Sequence, residues 1–426
     1  MHRIYKLYNS FRSNKTIING SLFALFSFFN QGISFLILIL IADYIVPSDY
    51  GRLSLFNTFV MFLGYFVALS STGYLSVSYF RKNLSDFKID VTSISVITIS
   101  VTFIIFFIIN VFKVKLSEHI GLPEEYLFIA VLISFFLVFH HLNLDYRRIR
   151  ENVLGYGCIS CSFAILNFII TFYLVINKNL SWQGRVYSYA ICTILFGLFS
   201  VIYLLKQNLI VLRVKFSNIK NIIFWGVPLI PHLSSIWLKQ GGDRLIIKEY
   251  HSMNEVGLFS FALNLMALIV MIGSAFNSSN SVSIYKILSS DKEINDKIKQ
   301  LRINTRNITY IYVCATILIV LGGCFLVPIL LPHYSGAIPY FVILSISGFL
   351  QCLYFLYCNY LFYYNCNKQL MKYTFFTSVI HLLLSCFLTK YSLYITCCIY
   401  VLTQFVVFVL VKKNADKKIK DELYVC

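Results

Sequence analysis

Long apolar runs, broken at short intervals by charged and turn-forming residues, are the dominant pattern of this chain. Twelve of them follow one another, at roughly 17–41, 53–79, 91–112, 126–144, 153–176, 186–205, 221–247, 256–285, 307–330, 338–363, 370–389 and 391–411. Each is close to the ~20 apolar residues that a helix needs to cross ~30 Å of hydrocarbon. Strands end after a few residues, so runs of this length predict helices. The expected fold is an all-α polytopic membrane protein of about 12 transmembrane helices in two pseudo-symmetric six-helix halves.

The halves are visible as an internal repeat. Shifting the sequence by 206 residues aligns Ile41 with Ile247, Tyr44 with Tyr250, Gly51 with Gly257 and Ser54 with Ser260, without a gap. The turns VPSDYGRLSLFN (from Val46) and SMNEVGLFSFAL (from Ser252) are then equivalent, each joining the first and second span of its half. Repeats of one orientation imply an axis along the membrane normal, as in alternating-access transporters. The organisation expected is a cytoplasmic segment 1–16, a half 17–205, a cytoplasmic linker 206–220, a half 221–411 and a basic cytoplasmic tail 412–426.

Composition narrows the class. Of 426 residues, 58% are hydrophobic and 13% charged, against about 25% charged in soluble domains, which excludes a soluble enzyme. The net charge of +18 raises the question of nucleic acid. Its placement answers it, because 27 of the 36 Lys and Arg residues fall on one side of the twelve-span arrangement. That asymmetry is the positive-inside signal, so both termini are expected in the cytoplasm and no nucleic acid is expected as partner. The first apolar run is too long for a signal peptide and reads as a retained span.

Of the twelve cysteines most lie singly in apolar runs, and the one Cys-x-x-Cys, Cys158 and Cys161, has no second pair at ligand spacing. No metal site, disulfide framework or cofactor is therefore expected. Nucleophile-elbow, His-Glu-x-x-His and P-loop patterns are missing too, and no loop can house an ATPase. The reading is of a non-enzyme driven by an ion gradient, the membrane potential or its substrate.

Ionisable residues at membrane depth are functional suspects, at a cost of about 2.5–3.5 kcal/mol each on insertion scales. The seventh span, VPLIPHLSSIWLKQGGDRLIIKEY from Val227, holds most of them. Helical spacing puts His232, Lys239 and Asp243 on one stripe, with Arg244 turned about 100° away. Two readings stay open: a cation facing substrate, or a Lys239–Asp243 i,i+4 pair with Arg244 reaching the outer interface. In the first half the equivalent positions are apolar (Phe26, Ile33, Ile37, Leu38), while Asn30 and Gln31, with Ser27 and Ser34, make a neutral polar stripe on the first span. Pro228 and Pro231 leave carbonyls without donors and predict a kink or hinge, the other five prolines being placed in loops or at span ends. For the clusters Ser70–Gly73 and Asn277–Ser281 two readings also stay open, the lining of an aqueous cavity near the cytoplasmic side or hydrogen bonding between packed helices.

The segments ILIADYIVPSDYGRLSLFNTF and WGVPLIPHLSSIWLKQGGDRLIIKEYHSMNEVGLFSFAL resemble the two signature regions of O-antigen and polysaccharide flippases (Wzx-type) in the multidrug/oligosaccharidyl-lipid/polysaccharide exporter superfamily. Length, span number and repeat agree along the whole chain, whereas the specific motifs cover about 60 residues. Asp243-Arg244 falls where the family has its Asp-Arg, and Pro231-His232 where it often has Pro-His. The resemblance implies a multi-pass protein of the bacterial inner membrane that moves an undecaprenyl-pyrophosphate-linked oligosaccharide, an O-antigen or capsule precursor of lipopolysaccharide and polysaccharide biosynthesis, from the cytoplasmic to the periplasmic leaflet. A polysaccharide polymerase and a chain-length regulator would be its partners. Competing readings are a drug/cation antiporter of the same superfamily, a polysaccharide polymerase acting as a membrane glycosyltransferase, for which the outer loops are short, and a non-transporting scaffold.

Overall fold

A computed structural model of the chain describes residues 15–69, 71–364 and 366–424. Among these the chain is helical, without a strand. The first half supplies α1 (Lys15–Ala42), α2 (Pro47–Ala68), α3 (Ser71–Arg81), α4 (Leu84–Ile120), α5 (Glu124–Ile149), α6 (Val153–Phe172) and α7 (Ser181–Lys206). The second supplies α8 (Phe216–Gly226), α9 (Ile230–Tyr250), α10 (Met253–Leu288), α11 (Ile294–Leu330), α12 (Ile338–Tyr363), α13 (Asn367–Leu388) and α14 (Leu393–Tyr424). Counting α2–α3 and α8–α9 as one span each, twelve segments are long and apolar enough to cross a membrane. The protein is a multi-pass membrane protein.

Several helices outrun their apolar runs because capping chemistry, not hydropathy, ends them. Asn83 accepts from the Asp86 N–H at 2.8 Å to start α4, and Gly121, at φ 78°, donates to the Ser117 carbonyl at 2.8 Å to close it. The 37 residues between extend to about 55 Å at 1.5 Å each. Ser252 and Glu255 form a capping box at the start of α10. Asp49 lies inside the first turn of α2 and pairs with Arg52 at 2.6 Å. Pro328, expected at a span end, lies inside α11, in its last turn.

The chain divides into two compact units. The described residues up to Ile45 and Phe56–Ile230 form unit 1; Val46–Leu55 and the residues from Pro231 onward form unit 2. The later division falls within the seventh span, at Ile230–Pro231. In unit 1, α5 packs on α7 and α1 on α6, and Phe87, Ile94, Val138, Leu142 and Leu204 belong to one buried cluster. Asp90, fully buried, ties α3, α4 and α8 together. It accepts from Ser78 Oγ at 2.5 Å, Lys82 Nζ at 2.6 Å and Asn218 Nδ2 at 2.7 Å.

In unit 2, α12 packs against both α10 and α14. The span of α10 is 67% buried and that of α11 only 6%, so α10 is central and α11 offers Leu318, Leu321 and Phe325 outward, as lipid would require. The two repeated turns meet each other here. A Cβ on Gly51 would come within 2.5 Å of the Met253 carbonyl oxygen, and one on Gly257 would overlap the Pro47 carbonyl oxygen. Pro47 and Gly51 are the 206-residue counterparts of Met253 and Gly257, so the contact is reciprocal, as a local two-fold demands.

Candidate functional site

The site in unit 2 is built on α9. Its paired glycines, costing roughly 1 kcal/mol each in a helix, allow a close approach: a Cβ on Gly242 would lie 2.6 Å from Leu382 Cδ1 of α13. That proximity brings His381 of α13 onto Asp243. His381 Nε2 lies 2.9 Å from Asp243 Oδ2, with both side chains 0% exposed. On the far side of the ring, Nδ1 lies 3.0 Å from Thr403 Oγ1. Thr403 donates its single hydroxyl hydrogen to the Ile399 carbonyl at 2.9 Å, so it accepts from Nδ1–H. Two lone pairs facing each other at 2.9 Å would repel, and a proton therefore lies between Nε2 and the carboxylate. Shared in this way, it leaves the dyad with no net charge.

Lys239, one turn earlier and also buried, is not the partner of Asp243. Its Nζ donates to Gln404 Oε1 of α14 at 3.4 Å, and Gln404 Nε2 donates to Gln351 Oε1 of α12 at 2.7 Å. The i,i+4 pairing open on sequence grounds is thus replaced by contacts between helices, to His381 for the carboxylate and to Gln404 for the ammonium. A cavity of about 440 Å³ opens beside these groups, lined by Ser235, Lys239, Gln240, Gln351, Tyr400 and Gln404 among others. Its wall therefore carries an ammonium bonded to a neutral amide, while the carboxylate of the same helix is neutralised behind it.

Arg244 lies off this wall, its Nε donating to Ser260 Oγ of α10 at 3.1 Å. The side chain of His232 falls outside the described residues. Asn30, half-buried in α1, keeps its Oδ1 buried without a hydrogen-bond partner among the described residues, and Gln31 is exposed. Of that neutral stripe it is Ser34 that lines the cavity of unit 1. Pro228 belongs to a 3-10 turn, Val227–Leu229, and Pro231 is the second residue of α9, so the α-helical ladder is interrupted at both.

Sequence reasoning missed His381, Gln351 and Gln404. The signal for His381 was present, since an imidazole within the apolar run of α13 is an intramembrane ionisable group. Nothing in the local sequence marks the two glutamines.

No family model matches the chain. Among curated proteins it is similar to a protein of the Lsg locus of Haemophilus influenzae, 24% identical over 354 residues, covering 82% of this chain and 85% of the relative. A membrane protein of the same organism is 22% identical over 357 residues, covering 82% and 84%. Among solved structures, lipid II flippase MurJ in an inward closed conformation matches with a TM-score of 0.72 at 11% identity, covering 95% of this chain and 90% of that one. A multidrug-resistance MATE-family transporter of the MOP superfamily, inward-facing, matches with a TM-score of 0.70 at 12% identity, covering 90% and 94%. The fold is that of the MOP superfamily. A MOP-superfamily transporter from Pyrococcus furiosus also matches, with a TM-score of 0.65 at 11% identity over 96% of this chain and 97% of that one. At such identities a shared fold says nothing of substrate.

Proposed function

We propose that this chain is a flippase of the bacterial inner membrane that moves a polyprenyl-pyrophosphate-linked oligosaccharide, an O-antigen or capsule precursor, from the cytoplasmic to the periplasmic leaflet by alternating access. The observation that carries the reading is the charge of the unit 2 cavity. Lys239 lines it while the carboxylate one turn away is neutralised by His381. Such a wall suits an anion and does not suit a cationic drug, which needs an uncompensated carboxylate. Each buried methylene of a polyprenyl tail is worth about 0.8 kcal/mol, so the tail stays in the bilayer and only the charged head needs a polar path. With a negative cell interior, outward movement of anionic charge is downhill by about 2.3 kcal/mol per charge per 100 mV, and no nucleotide is required. A polysaccharide polymerase and a chain-length regulator are the partners that such a product would meet.

Cells lacking the chain should lose surface polysaccharide and accumulate lipid-linked repeat units that remain inaccessible from outside. Purified protein should bind undecaprenyl pyrophosphate in preference to organic cations. Accumulation of single repeat units on the outer leaflet would instead indicate a polymerase, and tight binding of organic cations an antiporter.

A further inference from the structure

Unit 1 contains a cavity of about 590 Å³ that the sequence does not announce. Five helices contribute to it, among them through Ser34 of α1, Asn57 of α2, Ser134 and His141 of α5, Asn167 of α6 and Arg185 of α7. Among the described residues, Arg185 is its one permanent cation. It lies just outside the apolar run 186–205, yet it is the fifth residue of α7 and faces the cavity.

Its surroundings are neutral. Nη1 donates to Asn167 Oδ1 at 2.7 Å and to Thr171 Oγ1 at 3.3 Å, and Ser188 Oγ braces Asn167 Oδ1 at 2.9 Å. The guanidinium carbon lies 5.5 Å from the centre of the Tyr189 ring. Among the described residues no carboxylate forms an ion pair with it. A guanidinium has five N–H donors in a fixed fork, and these bonds occupy Nη1 alone. Nor does helix electrostatics explain the charge, since the first turn of a helix favours anions. What remains is a partly buried, braced cation with donors to spare on a cavity beside Asn57, His141 and Tyr189. That arrangement matches a planar or tetrahedral oxyanion, which a guanidinium grips with two bonds.

We propose that unit 1 carries an oxyanion subsite centred on Arg185 that takes a phosphoryl group borne by a lipid. The assignment of that group to the pyrophosphate of a polyprenyl carrier rests on the function proposed above; the phosphate of an ordinary anionic phospholipid has the same chemistry. The subsite is separate from the Lys239 cavity and is complete within its own unit.

The test uses the full chain in phosphatidylcholine nanodiscs, titrated calorimetrically with undecaprenyl pyrophosphate, phosphatidylglycerol or inorganic pyrophosphate. Arg185→Gln should weaken undecaprenyl pyrophosphate at least tenfold with an unchanged thermal midpoint. Arg185→Lys, which keeps the charge but not the fork, should fall between and serves if the Gln variant does not fold. Phosphatidylglycerol binding that is lost in Arg185→Gln, without undecaprenyl pyrophosphate binding, supports the subsite while refuting the polyprenyl reading. Wild-type affinity for both lipids in Arg185→Gln, with weakening confined to Lys239→Gln, overturns the subsite and leaves the flippase standing. Loss of binding that follows a lowered midpoint in both Arg185 variants makes the residue structural and also overturns it. Equal affinity for inorganic pyrophosphate, or no binding of any probe by the wild-type chain, removes the lipid-borne ligand.

Discussion

Two buried carboxylates organise this protein at the scale of single residues, and they do different things. Asp90 draws three donors, from Ser78 of α3, from the partly exposed Lys82 that follows it and from Asn218 of α8. Asp90→Ala should therefore destabilise unit 1 by about 2–4 kcal/mol, the cost of breaking a buried pair discounted for the exposed partner; thermal unfolding in detergent measures it. Burial opposes the charge on Lys82, but its hydrogen bonds to Asp90 and Tyr74 outweigh that and raise its pKa. The stability it contributes is full below about pH 10.5 and fades as pH rises further. Asp243, in contrast, depends on one imidazole. His381→Ala should lower the thermal midpoint by leaving a buried carboxylate unpaired, while the double variant Asp243→Asn with His381→Gln, which keeps hydrogen-bonding groups without charge, should recover much of it. A midpoint unmoved by His381→Ala would show that the dyad is not structural. Lys239→Ala, on the cavity wall, should impair surface polysaccharide at normal protein abundance; unimpaired polysaccharide would refute its role in binding.

At the scale of elements, backbone proximity decides what can change. Gly51 and Gly257 face main-chain atoms, which cannot rotate aside, so Ala at either should cost about 1–3 kcal/mol by overpacking, read from detergent unfolding. Ala at Gly32 or Gly64, where a Cβ meets nothing within 4 Å, is the control and should be neutral. The seventh span poses the other question. Its 3-10 turn at Val227–Leu229 adjoins the division between the units at Ile230–Pro231, and we treat it as a hinge by hypothesis. Replacing Pro228 and Pro231 with Ala should restore helical bonds and stiffen the span. Labelling of a cysteine at Ser235, which lines the unit 2 cavity, should then become one-sided. Normal transport with two-sided labelling would mark the kink as packing alone.

At the scale of the whole molecule, the distribution of basic residues makes a prediction that the fold leaves open. Both termini and the 286–306 connection should be cytoplasmic, and the 42–52 and 331–338 turns periplasmic. Cysteine labelling that placed Pro47 and Lys297 on one side would refute this topology. If the proposed function holds, transport should also be insensitive to nucleotide and sensitive to collapse of the membrane potential, which flux assays in liposomes of imposed potential can measure.

The sequence by itself determined the number, order and helical nature of the spans, because a bilayer allows few ways of satisfying backbone hydrogen bonds and imposes a minimum apolar length. The repeat was legible too, since a backbone crossing disfavours any side chain and Gly51 and Gly257 stand at equivalent places in the two turns. Partners of polar side chains were not legible. Asp243 had a plausible mate four residues away in Lys239, and only the approach of α13 over Gly242 gave it His381 instead. Arg185 lies just outside its apolar run, and only the start of α7 and the bracing by Asn167 put it on a cavity. Local pattern reports which residues want burial or charge compensation, but which helices meet depends on packing between segments more than a hundred residues apart, and that information resides in no single stretch of the chain.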